Sequence, residues 1–229
     1  MSLKNRDRVS KGYIVDEMHR YNILLEAREV FLHGCIEGSE EGDPGVDYRM
    51  ATNFVKNMAL LDRIDDKMPI VVHQHSVGGG WTEGMMIFDA ISTCTCSVIM
   101  VTHGIAASMG SIIPQAADLR ISMPNCWWLI HDGTTDINSD FTVRMAKSWA
   151  GWEEITTKQM MSIYAEVCSH GEVYKDKSES QIKLLIRKQL EKKEDWWLSS
   201  EDSVRHGFSD AVWGSDGYES LEIIKQHVL

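Results

Sequence analysis

The sequence predicts an α/β fold built on a mainly parallel sheet, and three observations lead there. Short apolar, β-branched runs recur along the chain, several of them ending near glycine. Segments with helical spacing lie between them, so strand and helix alternate. No Pro/Gly/Ser-rich linker divides the 229 residues, so they read as one large domain with a substantial core. In chain order, residues 30–34 and 69–75 read as strands, and 47–61 and 82–91 as helices around the second of them. Residues 97–102 form a further β-branched run. The stretch 111–122 reads as a helix broken near Pro114 and then a strand, and 127–130 as one more strand. From 140 to about 169 the pattern becomes one long helix, with Phe141, Met145, Trp149, Trp152 and Ile155 at spacings of three and four. Residues 171–180 read as a charged, mobile connection and 181–191 as a second helix. Ser199 with Asp202 marks a capped third helix ending before Gly207. No internal repeat is visible.

Composition excludes several classes of function. Hydrophobic residues make up 43% and charged residues 25%, values of a globular protein rather than a disordered one. A net charge of −11 opposes non-specific binding to nucleic acid or anionic membranes, because both are polyanions. No run of eighteen apolar residues occurs, and the charged start MSLKNRDRVSKG has no hydrophobic segment after it, so neither a membrane span nor a secretory signal is expected. A cytoplasmic setting follows. Five cysteines, an odd set without a paired CxxC, suit reduced thiols. Cys94 and Cys96 share a strand face but lack a second ligand pair nearby in sequence, so they read as packing residues and no metal is assigned. His73 and His75 are likewise read as non-ligands.

The chemistry concentrates in two segments. In GIAASMG, residues 104–110, Ser108 stands among Ala106, Ala107 and Gly110, where a tight turn into a helix meets little steric resistance and the hydroxyl is unshielded. In WWLIHDG, residues 127–133, His131 ends an apolar run, where the chain leaves the sheet. A serine hydroxyl is a poor nucleophile until a neighbouring imidazole takes its proton, so this pair is a candidate nucleophile and base. Gly78, Gly79 and Gly80 offer unobstructed backbone amides for an oxyanion. They also fit a plain turn, and a phosphate loop only weakly, since no Lys-Ser/Thr pair follows.

Four stretches in order, YNILLEAREVFLHG at 21–34, HSVGGG at 75–80, GIAASMGS at 104–111 and LIHDG at 129–133, resemble the proteolytic subunit of the Clp protease family. A fifth, EDWWLSSEDSVRHGFSDAV at 194–212, is similar to that family's closing motif. The resemblance spans nearly the whole chain. It implies a crotonase-like ββα superhelix with a protruding helical handle, in which the long helix after His131 pairs two rings of subunits; that helix's Met and Trp stripe equally suits ordinary core. It also implies that residues 1–20 are an N-terminal segment, mobile or pore-lining, and that 21–229 form the single peptidase domain. By the same resemblance Ser108 is the nucleophile, His131 the base, Asp195 the orienting acid, and Gly78 and Met109 the oxyanion donors. The implied function is an ATP-independent serine endopeptidase subunit. It would cleave unfolded polypeptides inside a homo-oligomeric chamber of stacked rings, without cofactor or metal, and be fed by an AAA+ unfoldase.

Departures from the family pattern are expected to matter. His75-Ser76-Val77-Gly78-Gly79 stands where the family has Asn-Ser-Pro-Gly-Gly, so a rigid proline is missing. Asp132-Gly133-Thr134-Thr135 shortens the connection into the handle, the loop 38–47 is longer and more acidic than usual, and Val71 and His73 replace aromatics of the unfoldase-docking pocket. These changes fit a divergent, phage-encoded or otherwise specialised member. Two rival readings are a catalytically silent ring subunit and a crotonase-type thioester hydratase or isomerase, the latter needing a carboxylate base in place of the Ser-His pair.

Overall fold

The structure, a computed structural model, describes residues 14–15, 18–32, 45–133 and 142–229. The expectations placed on residues 1–13, 33–44 and 134–141, including Cys35, Phe141 and most of the acidic loop, lie outside these. The expected mainly parallel sheet forms. Strands β1 (Ile23–Leu24), β2 (Glu29–Leu32), β3 (Ile70–Ser76), β4 (Val98–Ala107), β5 (Leu119–Ser122) and β8 (Ala211–Val212) lie side by side in that order. Every pairing among them is parallel except β1 with β2.

Strand β4 is longer than the β-branched run 97–102 suggests, and its extra length divides the sheet. Ile99–Thr102 pair with β5, whereas Ile105–Ala107 pair with β6 (Trp127–Ile130). Strand β6 in turn pairs antiparallel with β7 (Trp196–Ser199), a strand the sequence reading took only as bulky residues before a helix cap.

Two apolar layers cover the sheet. Val72, Met100 and Leu32 face one side, packed against α1 (Tyr48–Ile64) and α2 (Trp81–Ser92). Helix α1 starts at Asp47, whose carboxylate accepts the Arg49 and Met50 amides, and it buries Ala51, Phe54, Met58 and Leu61 along one stripe. Alternate residues Val71, Ile99, Val101 and Ile121 face the other side, beneath Ile224 of α7 (Leu221–Gln226). Each fully buried Leu or Ile here contributes about 1.5–3 kcal/mol. Arg120 of β5 is buried and anchored: its guanidinium donates to Asp210, Gln115 Oε1 and the Gly207 carbonyl, which fixes the turn before β8.

The helical half follows its caps. Helix α4 (Val143–Cys168) begins at Thr142, which accepts the Met145 amide; its second half is buried through Thr156, Met160, Tyr164 and Cys168, while residues 142–152 are exposed. Ser178 and Gln181 form a capping box at the start of α5 (Glu179–Lys193), and Ser199 caps α6 (Ser200–His206), which ends at Gly207 in the left-handed region. One expectation is corrected. The stretch 171–180 is not a mobile connection: Glu172–Tyr174 form a 3-10 turn, and the Tyr174 ring is buried against His206. A single aromatic among charges anchors the segment.

Candidate active site

Ser108 sits where β4 ends and α3 (Met109–Ile112) begins, with φ 54° and ψ −125°. A side-chain-bearing residue at positive φ is strained and persists only where its surroundings hold it. Several contacts do so here. The Ser108 amide donates to the Leu129 carbonyl at 3.0 Å, tying the turn to β6. The Ser111 hydroxyl donates to the Ser108 carbonyl at 2.6 Å, so at the 2.7 Å contact between the two hydroxyls the proton comes from Tyr164. Burial holds the Tyr164 phenol well above its ordinary pKa, which keeps that proton in place. From below, buried Gln74 donates through Nε2 to the Gly110 carbonyl at 2.7 Å.

Strand register brings the other two candidates to the same place. In the antiparallel ladder of β6 and β7 the last pair is Ile130 with Trp196, and one step further the chain reaches His131 on one strand and Asp195 on the other. His131 Nδ1 lies 3.7 Å from Asp195 Oδ1, an ion-pair distance too long for a hydrogen bond. The His131 side chain is 21% exposed and that of Asp195 55%. His131 Nε2 is buried and has no hydrogen-bond partner among the described residues, an arrangement that costs stability until a partner joins it. The neighbouring Asp132 is occupied elsewhere, with both carboxylate oxygens within 2.9 Å of Arg187 Nη1.

Ser108 and His131 open into one cleft of about 670 Å³. Val77, Gly79 and Gly80 line it with Trp81 of α2, as do Trp149 and Trp152 of α4. The glycine turn is built for close approach. Gly78 has φ +98°, and a Cβ there would lie 2.5 Å from Ser108 Cβ and 2.8 Å from the Ala107 carbonyl oxygen. A short parallel bridge to Val46 holds the turn in place of the missing proline: the Val46 amide donates to the Gly78 carbonyl at 2.6 Å, and the Gly80 amide to the Val46 carbonyl at 2.8 Å. Of the two expected oxyanion donors, Met109 carries the first amide of α3, which has no intrahelical acceptor. The Gly78 amide makes a long bond of 3.2 Å to Ser76 Oγ.

The model of the Clp protease family matches residues 15–216. The chain belongs to the Clp protease family. Among its relatives, the ATP-dependent Clp protease proteolytic subunit 2 of Pseudomonas aeruginosa is 30% identical over 207 residues, covering 89% of this chain and 88% of that protein. The ATP-dependent Clp protease proteolytic subunit of Leuconostoc citreum is 27% identical over 201 residues, covering 85% and 86%. In three dimensions the chain is similar to a ClpP1 mutant from Listeria monocytogenes, with a TM-score of 0.67 over 88% of this chain and 96% of that one; at 23% identity this likeness speaks for the fold.

This Clp-family chain is therefore a serine peptidase subunit by class, and the hydratase reading falls away. The fold gathers Ser108, His131, Asp195, Gly78 and Met109, the residues to which the resemblance points, at the ends of β3, β4, β6 and β7. Sequence reasoning missed the tryptophans of the cleft. Helical spacing makes Trp149 and Trp152 part of a core or handle stripe, yet they are 44% and 42% exposed and border the cleft. Their combination of large aromatic surface with the polar neighbours Glu153, Thr156 and Thr157 was the available signal. Among the described residues, no helix is long and apolar enough to cross a membrane.

Proposed function

We propose that the chain is the peptidase subunit of a compartmental protease, with Ser108 as nucleophile, His131 as base and Asp195 as orienting acid. Ser108 Oγ attacks the scissile carbonyl carbon while His131 Nε2 takes its proton, and Asp195 holds Nδ1–H and offsets the imidazolium charge. The developing oxyanion receives the Met109 amide and the Gly78 amide, whose long bond to Ser76 Oγ leaves it shareable. Collapse passes the proton from His131 to the leaving amine. Water then repeats the sequence to release the acyl group, with no metal or organic cofactor.

What carries the reading is the meeting at one cleft of a strained serine turn and an imidazole whose Nε2 has no partner among the described residues. The 3.7 Å separation of His131 and Asp195 is the distance that substrate or assembly would close. The subunit is proposed to assemble with copies of itself in the cytoplasm as stacked rings. It would act on unfolded polypeptides delivered by an AAA+ unfoldase, as the ATP-dependent names of its relatives suggest. The test is a serine-directed fluorophosphonate probe followed by mass mapping. Labelling at Ser108, lost in Ser108→Ala together with peptide hydrolysis, is expected; an unlabelled, folded chain would instead be a silent ring subunit.

A further inference from the structure

Four chain segments converge at the end of the sheet where β3 and β4 begin. They are the last turn of α1 with Asp62, the following residues 65–68, the turn carrying Arg28, and the connection from α2 to β4 with Cys94 and Cys96. Asp62 Oδ1 accepts the amides of Thr95 at 2.9 Å and Cys96 at 3.1 Å. The same oxygen lies 3.3 Å from Cys94 Sγ and 3.4 Å from Cys96 Sγ. Among the described residues this is the one group of three such ligand atoms lying within 4.8 Å of one another.

We propose that Asp62, Cys94 and Cys96 form a binding site for a thiophilic divalent cation of the zinc type. The spacing fits: bonds of about 2.3 Å to sulfur and about 2.0 Å to oxygen at tetrahedral angles set sulfur and oxygen ligands roughly 3.5 Å apart. The observed oxygen–sulfur distances of 3.3 and 3.4 Å are therefore close to those of a coordinated site. The charge also balances. Binding converts two thiols to thiolates and releases their protons to solvent; with the Asp62 carboxylate, the Arg28 guanidinium and a divalent cation, the cluster is neutral.

Arg28 is held in advance for an outer role. Its Nη1 donates to the Leu61 carbonyl at 3.0 Å, and its Nη2 to the carbonyls of Asp65 at 2.9 Å and Met68 at 3.0 Å. Nη2 also lies 3.2 Å from Cys96 Sγ, where the guanidinium charge would stabilise the thiolate. Asp62 and Cys94 are half-buried, so solvent reaches the cluster and water can fill the fourth position. Two sulfur ligands favour zinc or cadmium over magnesium or calcium. Without a cation both thiols stay protonated, since burial, helped by the Asp62 carboxylate, pushes Cys94 up to about 12 and raises Cys96 as well. The cation would clip the end of α1 to the start of β4, ten strand residues, or roughly 33 Å, from Ser108. Its role is structural and independent of the peptidase reading.

The test uses the reduced, chelator-stripped full chain titrated with cadmium, followed through the thiolate-to-cadmium charge-transfer absorption. The expected result is saturation at one equivalent per chain, release of about two protons, and displacement by zinc. Zinc should raise the melting temperature of the wild type. Cys94→Ser, which keeps a hydroxyl to donate to Asp62, should fold by circular dichroism yet weaken cadmium binding more than about tenfold, a loss at least as large as that of an outer partner. Zinc should then no longer raise its melting temperature. Absence of a stoichiometric band in the wild type, or an unchanged band in both Cys94→Ser and Cys96→Ser, overturns the site and leaves a hydrogen-bonded cap.

Discussion

At the scale of single residues, Gly78 and Asp195 are the positions where geometry makes the sharpest demands. A methyl group at Gly78 is strained at φ +98° and points at Ser108 Cβ from 2.5 Å, so the serine turn must move to admit it. Gly78→Ala is expected to lower kcat by about 100-fold or more with a smaller change in KM, because the displaced amide acts chiefly in the transition state. Steady-state peptide kinetics decide this, and an effect confined to KM would put Gly78 in ground-state binding. Asp195→Asn is expected to cut kcat roughly 10²- to 10⁴-fold, since an amide stabilises the wrong imidazole tautomer and leaves the imidazolium charge unopposed. Asp132→Asn should stay near the wild-type rate, because Asp132 is engaged by Arg187. If the two variants exchange these behaviours, Asp132 is the orienting acid. Both Ser108 and Gly78 were legible as residue types in small-residue motifs. The unpartnered His131 Nε2 was not, because it depends on how far β6 runs and what faces it.

At the scale of elements, what the sequence made visible depended on how local the determinant was. Caps and stripes lie within one turn, so α1, α5 and α6 appear near their expected bounds, with Asp47, Ser178 and Ser199 accepting first-turn amides. Strand β6 likewise occupies residues 127–130 as read. Strand β7 escaped because Trp196 and Trp197 are both large and apolar, which hides the alternation of a buried Trp196, an exposed Trp197 and a buried Leu198. Its partner β6 is also distant in sequence. The 171–180 segment was misjudged because one buried ring, Tyr174, outweighs its charges. That ring predicts a pH response. His206, at the end of α6, packs edge-on against Trp196 and contacts the Tyr174 hydroxyl at 3.1 Å, and burial is the main cause lowering its pKa below the ordinary imidazole value. The folded state thus resists a proton that the unfolded chain accepts at about pH 6.5. Stability should be undiminished above that pH and fall as the pH drops from there toward the folded value. Melting temperatures between neutral and mildly acidic pH should show this slope flattened in His206→Gln. An identical slope in both proteins would assign the acid sensitivity to other groups.

At the scale of the whole molecule, the apolar surface is unevenly spread. The sheet and its covering helices bury their stripes, but Val143, Met145, Trp149, Trp152 and Ile155 all lie exposed on the first half of α4, between 42% and 76% accessible. Soluble monomers rarely leave so much large apolar surface together on one element, and a face of this kind is normally covered by another chain. A net charge of −11 works against indiscriminate association, so the covering contact must be specific and dominated by these side chains. Copies related by closed symmetry offer one another the same face. We therefore expect the wild-type chain to be an oligomer by light scattering at micromolar concentration. Met145→Lys combined with Ile155→Lys should shift it toward monomer, because two desolvated ammonium groups would be needed at the contact. Trp149 and Trp152 share this half of α4 and border the Ser108 cleft, so assembly and activity are coupled in the prediction. Peptide hydrolysis per chain should fall on dilution through the dissociation range, and should fall in the double variant although neither substituted residue lines the cleft. A wild-type chain that stays monomeric and hydrolyses peptides at full specific rate would show that the α4 face has another use.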